Sequence, residues 1–235
     1  MTDLFRISAK NLGGLALPKF CPRCFWVALK LGNKLPYQIF PGIFSSIDSY
    51  NKKIVHSYFD QNKTAPNWMS DLGELVDYQN PPHHTRFNII LDEYGINLTG
   101  SPDGVFIRPD DSYYIVDYKT AKYTGTQDTL FPMYETQLNA YALIGESCGF
   151  NPVTGLALIY FEPQTDDDTA GREDVHEDDG FIMHFGANIH EVTINKEILN
   201  PLLLRAREIY DMDEPPPSRD GCKDCAIIEE IMGLF

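Results

Sequence analysis

The chain has 235 residues, is 43% hydrophobic and 12% aromatic, and carries 34 acidic against 19 basic residues, a net charge of −15. That apolar content excludes a disordered or fibrous chain, and no apolar run approaches the ~18 residues of a membrane span. The start MTDLFRISAK lacks the hydrophobic stretch of a secretion signal, so a cytoplasmic protein that does not enter a membrane is expected. The acidic surplus alone argues against a phosphate-rich partner, which needs Lys and Arg. It is concentrated, however: residues 162–179 hold nine acids and one base, contributing −8 and leaving −7 for the rest. Such a run reads as a solvated loop, so nucleic acid stays open as a partner.

Along the chain, residues 22–31 predict a short helix with Phe25, Trp26, Leu29 and Leu31 for packing, and Pro36 and Pro41-Gly42 then break it. Residues 44–61 have helical period, with Phe44, Ile47, Ile54, Val55, Tyr58 and Phe59 on one arc. Beyond Pro81-Pro82, and between 86 and 119, RFNIILD, GINLTGSPDGVFIRP and SYYIVDYKT are runs of β-formers separated by turn signals, Pro109–Ser112 among them. Residues 132–147 predict a helix with Pro132 in its first turn, and residues 155–162 a central apolar strand. After the acidic loop come strands near 180–185 and 189–194, a helix at 196–211 ended by Pro215-Pro216-Pro217, and a last cysteine-bearing segment. The order predicts one mixed α/β domain over 1–235 with a central sheet flanked by helices, its core about 42–212 and cysteine-bearing ends at 18–31 and 218–235.

The chemistry concentrates at Ser101-Pro102-Asp103-Gly104 and, 14 residues after Asp103, at Asp117-Tyr118-Lys119. On a strand Asp117 and Lys119 point to one face, and a hairpin would bring Asp103 beside Asp117. Adjacent carboxylates repel unless a cation shares them. Mg²⁺ takes such oxygen ligands, and a neighbouring lysine can orient an attacking water and stabilise developing charge. This set suits phosphodiester hydrolysis. In the following helix Gln137 lies between Tyr141 and Ile144 inside the apolar arc with Tyr134, where a buried amide needs partners.

These motifs resemble the RecB-like branch of the PD-(D/E)XK nuclease superfamily: Pro102-Asp103, then Asp117-x-Lys119, then Gln137-x-x-x-Tyr141. The resemblance spans about residues 18–226 and is similar to the CRISPR-associated RecB-type nucleases, mostly DNA exonucleases that serve DNA processing and repair. It implies a restriction-endonuclease-like core. Asp103 and Asp117, with the Tyr118 carbonyl as a further ligand, would hold Mg²⁺ or Mn²⁺. Lys119 would position the water, and Gln137 and Tyr141 would contact the strand. The implied partner is DNA, single-stranded or with single-stranded ends, together with possible protein partners of a DNA-processing complex. The family also has an upstream histidine or acid on the first core helix. Here Asp48 falls inside the apolar arc and His56 outside it, so Asp48 is the first candidate and His56 the second. Ser45-x-x-Asp48 can also be read as a helix start with Asp48 serving the N-terminus. His83-His84 reads as exposed loop.

Cys21-x-x-Cys24 and Cys222-x-x-Cys225 offer four thiolates to one metal centre joining the two ends, with Cys148 outside it. The resemblance implies a four-iron four-sulfur cluster, although six residues after Cys225 stands Ile231 where the family has its last cysteine. Zinc is the alternative. A second functional reading keeps the fold and the centre in a weakly active or inactive nucleic-acid-processing or protein-docking subunit.

Overall fold

The computed structural model describes residues 4–32, 34, 41–125 and 128–234; the break expected at Pro36 lies outside them. Its elements in chain order are β1 (Phe5–Ser8), α1 (Ala9–Gly13), α2 (Pro22–Lys30), α3 (Gly42–Asn62), β2 (Asp77–Gln79), β3 (Asn88–Leu91), β4 (Ile96–Thr99), β5 (Gly104–Ile107), β6 (Tyr113–Lys119), α4 (Phe131–Ser147), β7 (Val153–Pro163), α5 (Asp167–Ala170), β8 (His176–Glu177), β9 (Gly180–Phe181), β10 (Phe185–Val192), α6 (Leu199–Asp211) and α7 (Lys223–Met232). Five strands form a mixed sheet in the order β10-β7-β6-β5-β2, in which β6 and β7 run parallel and the other neighbours antiparallel. A parallel pair needs a crossover, and α4 supplies it between β6 and β7. A smaller sheet, β1-β4-β3, lies apart in pairing from the first.

Strand alternation divides the core. Tyr114, Val116 and Tyr118 of β6 join Val55 and Phe59 of α3 in one apolar cluster, and Ile115 joins Leu138 and Ile144 of α4 in the other. Asp117 shares the register of Ile115, so the pleat turns it toward α4. The hairpin between β5 and β6 is tied by Asp110, whose Oδ1 accepts from the Ser112 backbone N–H at 3.1 Å and from its hydroxyl at 2.6 Å. That register sets Gly104 opposite Val116 and brings Asp103 to Asp117.

Four expectations need correction. The run GINLTGSPDGVFIRP is two strands in different sheets, because Gly100–Pro102 carries the chain from β4 to β5. The strands expected at 180–185 and 189–194 are instead a two-residue strand at 180–181 and one continuous strand, β10, paired along β7. On α3 the buried stripe is Asn51, Val55 and Phe59, while Phe44 and Ile54 face outward; the sheet accepts a narrower face than the apolar content offers. β7 is an interior strand, but the centre of the sheet is β6. The acidic segment is mostly exposed, with short helical turns and the β8–β9 hairpin inside it.

Candidate active site and cysteine centre

Asp103 lies one residue before β5, and Asp117 and Lys119 lie at the C-terminal end of β6. The backbone N–H of Tyr118 donates to Asp103 Oδ2 at 2.7 Å, and that of Asp103 to the Val116 carbonyl at 3.2 Å. The strand pair thus aims both carboxylates into one place. Burial, followed by the charge of Asp117, pushes the Asp103 carboxyl up to about 6 against the opposing pull of Lys52 and the Tyr118 N–H. The Lys119 ammonium contacts Asp117 Oδ2, and lies 4.1 Å from the centre of the Tyr134 ring.

From α4, Gln137 is 5% exposed and donates through Nε2 to Asp117 Oδ1 at 3.2 Å and to the Tyr141 hydroxyl at 2.6 Å. Its Oε1 is buried with no hydrogen-bond partner. Tyr141 is buried; burial and then the charge of Asp117 raise its phenol. Gly100 lets its ring come this close, since a Cβ there would lie 2.6 Å from Tyr141 Cε1. The Tyr118 side chain points to the opposite side of the sheet, into the α3 cluster.

The sequence reading missed Lys52. Its Nζ stands 2.7 Å from Asp103 Oδ1 and 3.0 Å from Asp48 Oδ2. Burial disfavours its charge, but Asp103 and Asp48 outweigh that and hold its pKa above the ordinary lysine value. The signal was available as Asp48-x-x-x-Lys52, an i,i+4 pair on a helix. Asp48 itself is half-exposed, not on the buried face, and reaches Asp103 only through Lys52. His56 stacks on Tyr78 of the edge strand β2, with centroids 4.1 Å apart. His83 and His84 are exposed, as expected.

A divalent ion with oxygen ligands fits Asp103 and Asp117. Their charges oppose one another, an ammonium already stands on Asp103 as a stand-in cation, and the buried Gln137 Oε1 has no partner.

The four cysteines converge. Cys21 and Cys222 are the N-caps of α2 and α7, and Cys24 and Cys225 lie in their first turns. Both helix N-termini therefore meet at the thiols, where their dipoles work against the burial that disfavours thiolate. The Sγ separations are 3.6 Å for Cys21–Cys225, 3.5 Å for Cys24–Cys222 and 3.4 Å for Cys24–Cys225, with all four within 4.8 Å of one another. The Arg219 N–H donates to Cys21 Sγ at 3.3 Å. Burial opposes ionisation of Cys21, yet this N–H, that of Cys24 and the neighbouring thiols lower it to about 6, while burial pushes Cys225 up to about 11. Among the described residues this is the one group of three or more His, Cys, Asp or Glu whose ligand atoms lie so close. Cys148 is outside it, its thiol 3.5 Å from the Arg86 carbonyl. Arg23 pins the two ends further, pairing with Glu229 at 2.6 Å.

No curated protein matches the sequence. A solved structure described as the crystal structure of SSO0001 aligns with 92% of this chain and 80% of its own at 10% identity, with a TM-score of 0.44. The family profile of the PD-(D/E)XK nuclease superfamily matches residues 50–229, which contain Asp103, Asp117, Lys119, Gln137 and Tyr141. The chain therefore belongs to the PD-(D/E)XK nuclease superfamily.

Proposed function

We propose that this nuclease is a RecB-like deoxyribonuclease that hydrolyses DNA with Mg²⁺ or Mn²⁺ held by Asp103, Asp117 and the Tyr118 carbonyl, working inward from strand ends. The observation that carries the reading is the pairing of Asp103 with Asp117, with Lys119 on Asp117 and Gln137 behind it. DNA as substrate, attack at ends and service in DNA processing follow the family resemblance.

When bound, the ion supplies Lewis-acid polarisation of the phosphodiester and a water of lowered pKa. Asp103 and Asp117 would hold it as carboxylates. Lys119, fixed by Asp117 and the face of Tyr134, orients the attacking water and offsets charge growing on the phosphoryl oxygens. Gln137 fixes the Asp117 rotamer, and the Tyr141 hydroxyl anchors Gln137 in turn.

Four thiols whose ligand atoms lie within 4.8 Å of one another support one shared metal centre. We take it to be the four-iron four-sulfur cluster that the resemblance implies, with zinc as the alternative. Four cysteines leave no open position, so the centre is structural.

The Lys52–Asp103 contact favours a second reading, a docking subunit with little cleavage, because the ammonium occupies an oxygen the ion needs. Incubating the protein with labelled single- and double-stranded DNA in Mg²⁺, Mn²⁺ or EDTA separates the two. Divalent-dependent shortening supports the nuclease, and intact DNA under every condition supports docking.

A further inference from the structure

Beside the cysteine centre lies a cavity of about 710 Å³, whose walls include Lys10, Lys19, Arg219 and Lys223 against a single acid, Asp224. A second cavity, of about 560 Å³, opens on the active site at Lys119, Asp48 and Tyr134. Lys10 and Met133 line both, so the two are neighbours that meet at these residues. The first has four bases to one acid in a chain with 19 bases to 34 acids, the reverse of the overall balance. Lys10, Lys19 and Lys223 are exposed and have no ion-pair partner among the described residues. The buried Arg219 Nε has no hydrogen-bond partner.

We infer that this groove is the track of a single nucleic-acid strand, led from the cysteine centre past Lys10 to Lys119; the inference rests on the nuclease reading. Unpaired cations gathered in one groove of an acidic protein form a local attractor for a polyanion. Cavities of this size take the nucleotides of one strand rather than a whole duplex. Phe20 and Phe25 in one cavity and Phe44 in the other add aromatic walls on which bases stack without sequence preference. Lys10 sits on α1, which packs on α4, so the element that carries Gln137 also fixes where the strand passes. The cysteine centre then has a functional consequence, because α2 and α7 bring the bases near residue 20 and residue 220 to one wall.

The test is binding of fluorescein-labelled oligothymidylate of about 16 nucleotides, the span of the larger single-strand sites, to the full chain in EDTA, read by anisotropy over a salt series. Cleavage plays no part in this readout, so DNA that binds here yet stays intact when Mg²⁺ or Mn²⁺ is supplied would defeat the nuclease reading while leaving the groove standing. Each lost phosphate contact on a single strand lowers the slope of log K against log salt by about 0.7. Lys10→Gln with Lys19→Gln should therefore lower it by about 1.4 and weaken binding at least tenfold at low salt, with thermal stability unchanged. Lys53→Gln, on the exposed side of α3, should match wild type. Three results would overturn the inference: no binding by wild type, a double variant indistinguishable from Lys53→Gln, or displacement of the oligonucleotide by polyglutamate as readily as by unlabelled DNA.

Discussion

The ammonium of Lys52 stands 2.7 Å from Asp103 Oδ1, inside the pair of carboxylates read as the metal site. It balances charge there while also competing for a ligand oxygen. In Lys52→Ala the two carboxylates face each other without it, so the metal-free variant should melt below wild type. Mg²⁺ or Mn²⁺ should then stabilise the variant more than wild type, because the ion no longer displaces an ammonium. Thermal melts with and without metal measure both. An equal metal response in the two proteins would mean that Lys52 does not stand in the ion's way.

Asp48 touches this network through Lys52, whereas His56 stacks on Tyr78 at the sheet edge. Asp48→Ala should cost more nuclease activity than His56→Ala. A normal Asp48→Ala beside an inactive His56→Ala would transfer the upstream role to the histidine.

The raised Asp103 carboxyl predicts a pH dependence of definite sign. Between its ordinary 3.8 and about 6 the folded protein holds a proton the unfolded chain has released. Metal-free protein should therefore lose stability as pH rises through that window, from this group. Asp103→Asn should flatten the slope there, which chemical denaturation in EDTA at pH 4, 5 and 6 would resolve. An unchanged slope would place the Asp103 carboxyl at its ordinary value.

Much of this was legible in the sequence because the motifs are local. Asp117 and Lys119 sit two apart on one strand, Gln137 and Tyr141 four apart on one helix, and each cysteine pair one helical turn apart, so their faces follow from period alone. What could not be read came from partners far along the chain. The pairing of Phe5–Ser8 with Ile96–Thr99 spans about 90 residues and decides that GINLTG and PDGVFI belong to different sheets. The outward turn of Phe44 and Ile54 is set by what the sheet leaves for α3 to cover. Lys52 looked like one more solvated charge, since only the fold brings Asp103 under it.

The two cysteine pairs should behave as a unit. Metal–thiolate binding adds on the order of 10 kcal/mol in small zinc domains, far more than the slowly growing entropy of closing a ~200-residue loop. Cys222→Ser should release metal and lower thermal stability sharply, while Cys148→Ser should do neither. Metal analysis of anaerobically purified protein should find about four irons in a brown sample. A colourless sample with one zinc would keep the four ligands and overturn the cluster.

The proposed function requires that Asp103, Asp117 and Lys119 form one metal-dependent hydrolytic site. Its most direct measurement is cleavage of end-labelled DNA by wild type, Asp117→Ala and Lys119→Ala, each checked for an unchanged circular dichroism spectrum. Wild type should cleave in Mg²⁺ or Mn²⁺ and not in EDTA, and both variants should lose at least a hundredfold. Wild-type rates in either variant, or cleavage that persists in EDTA, would contradict it.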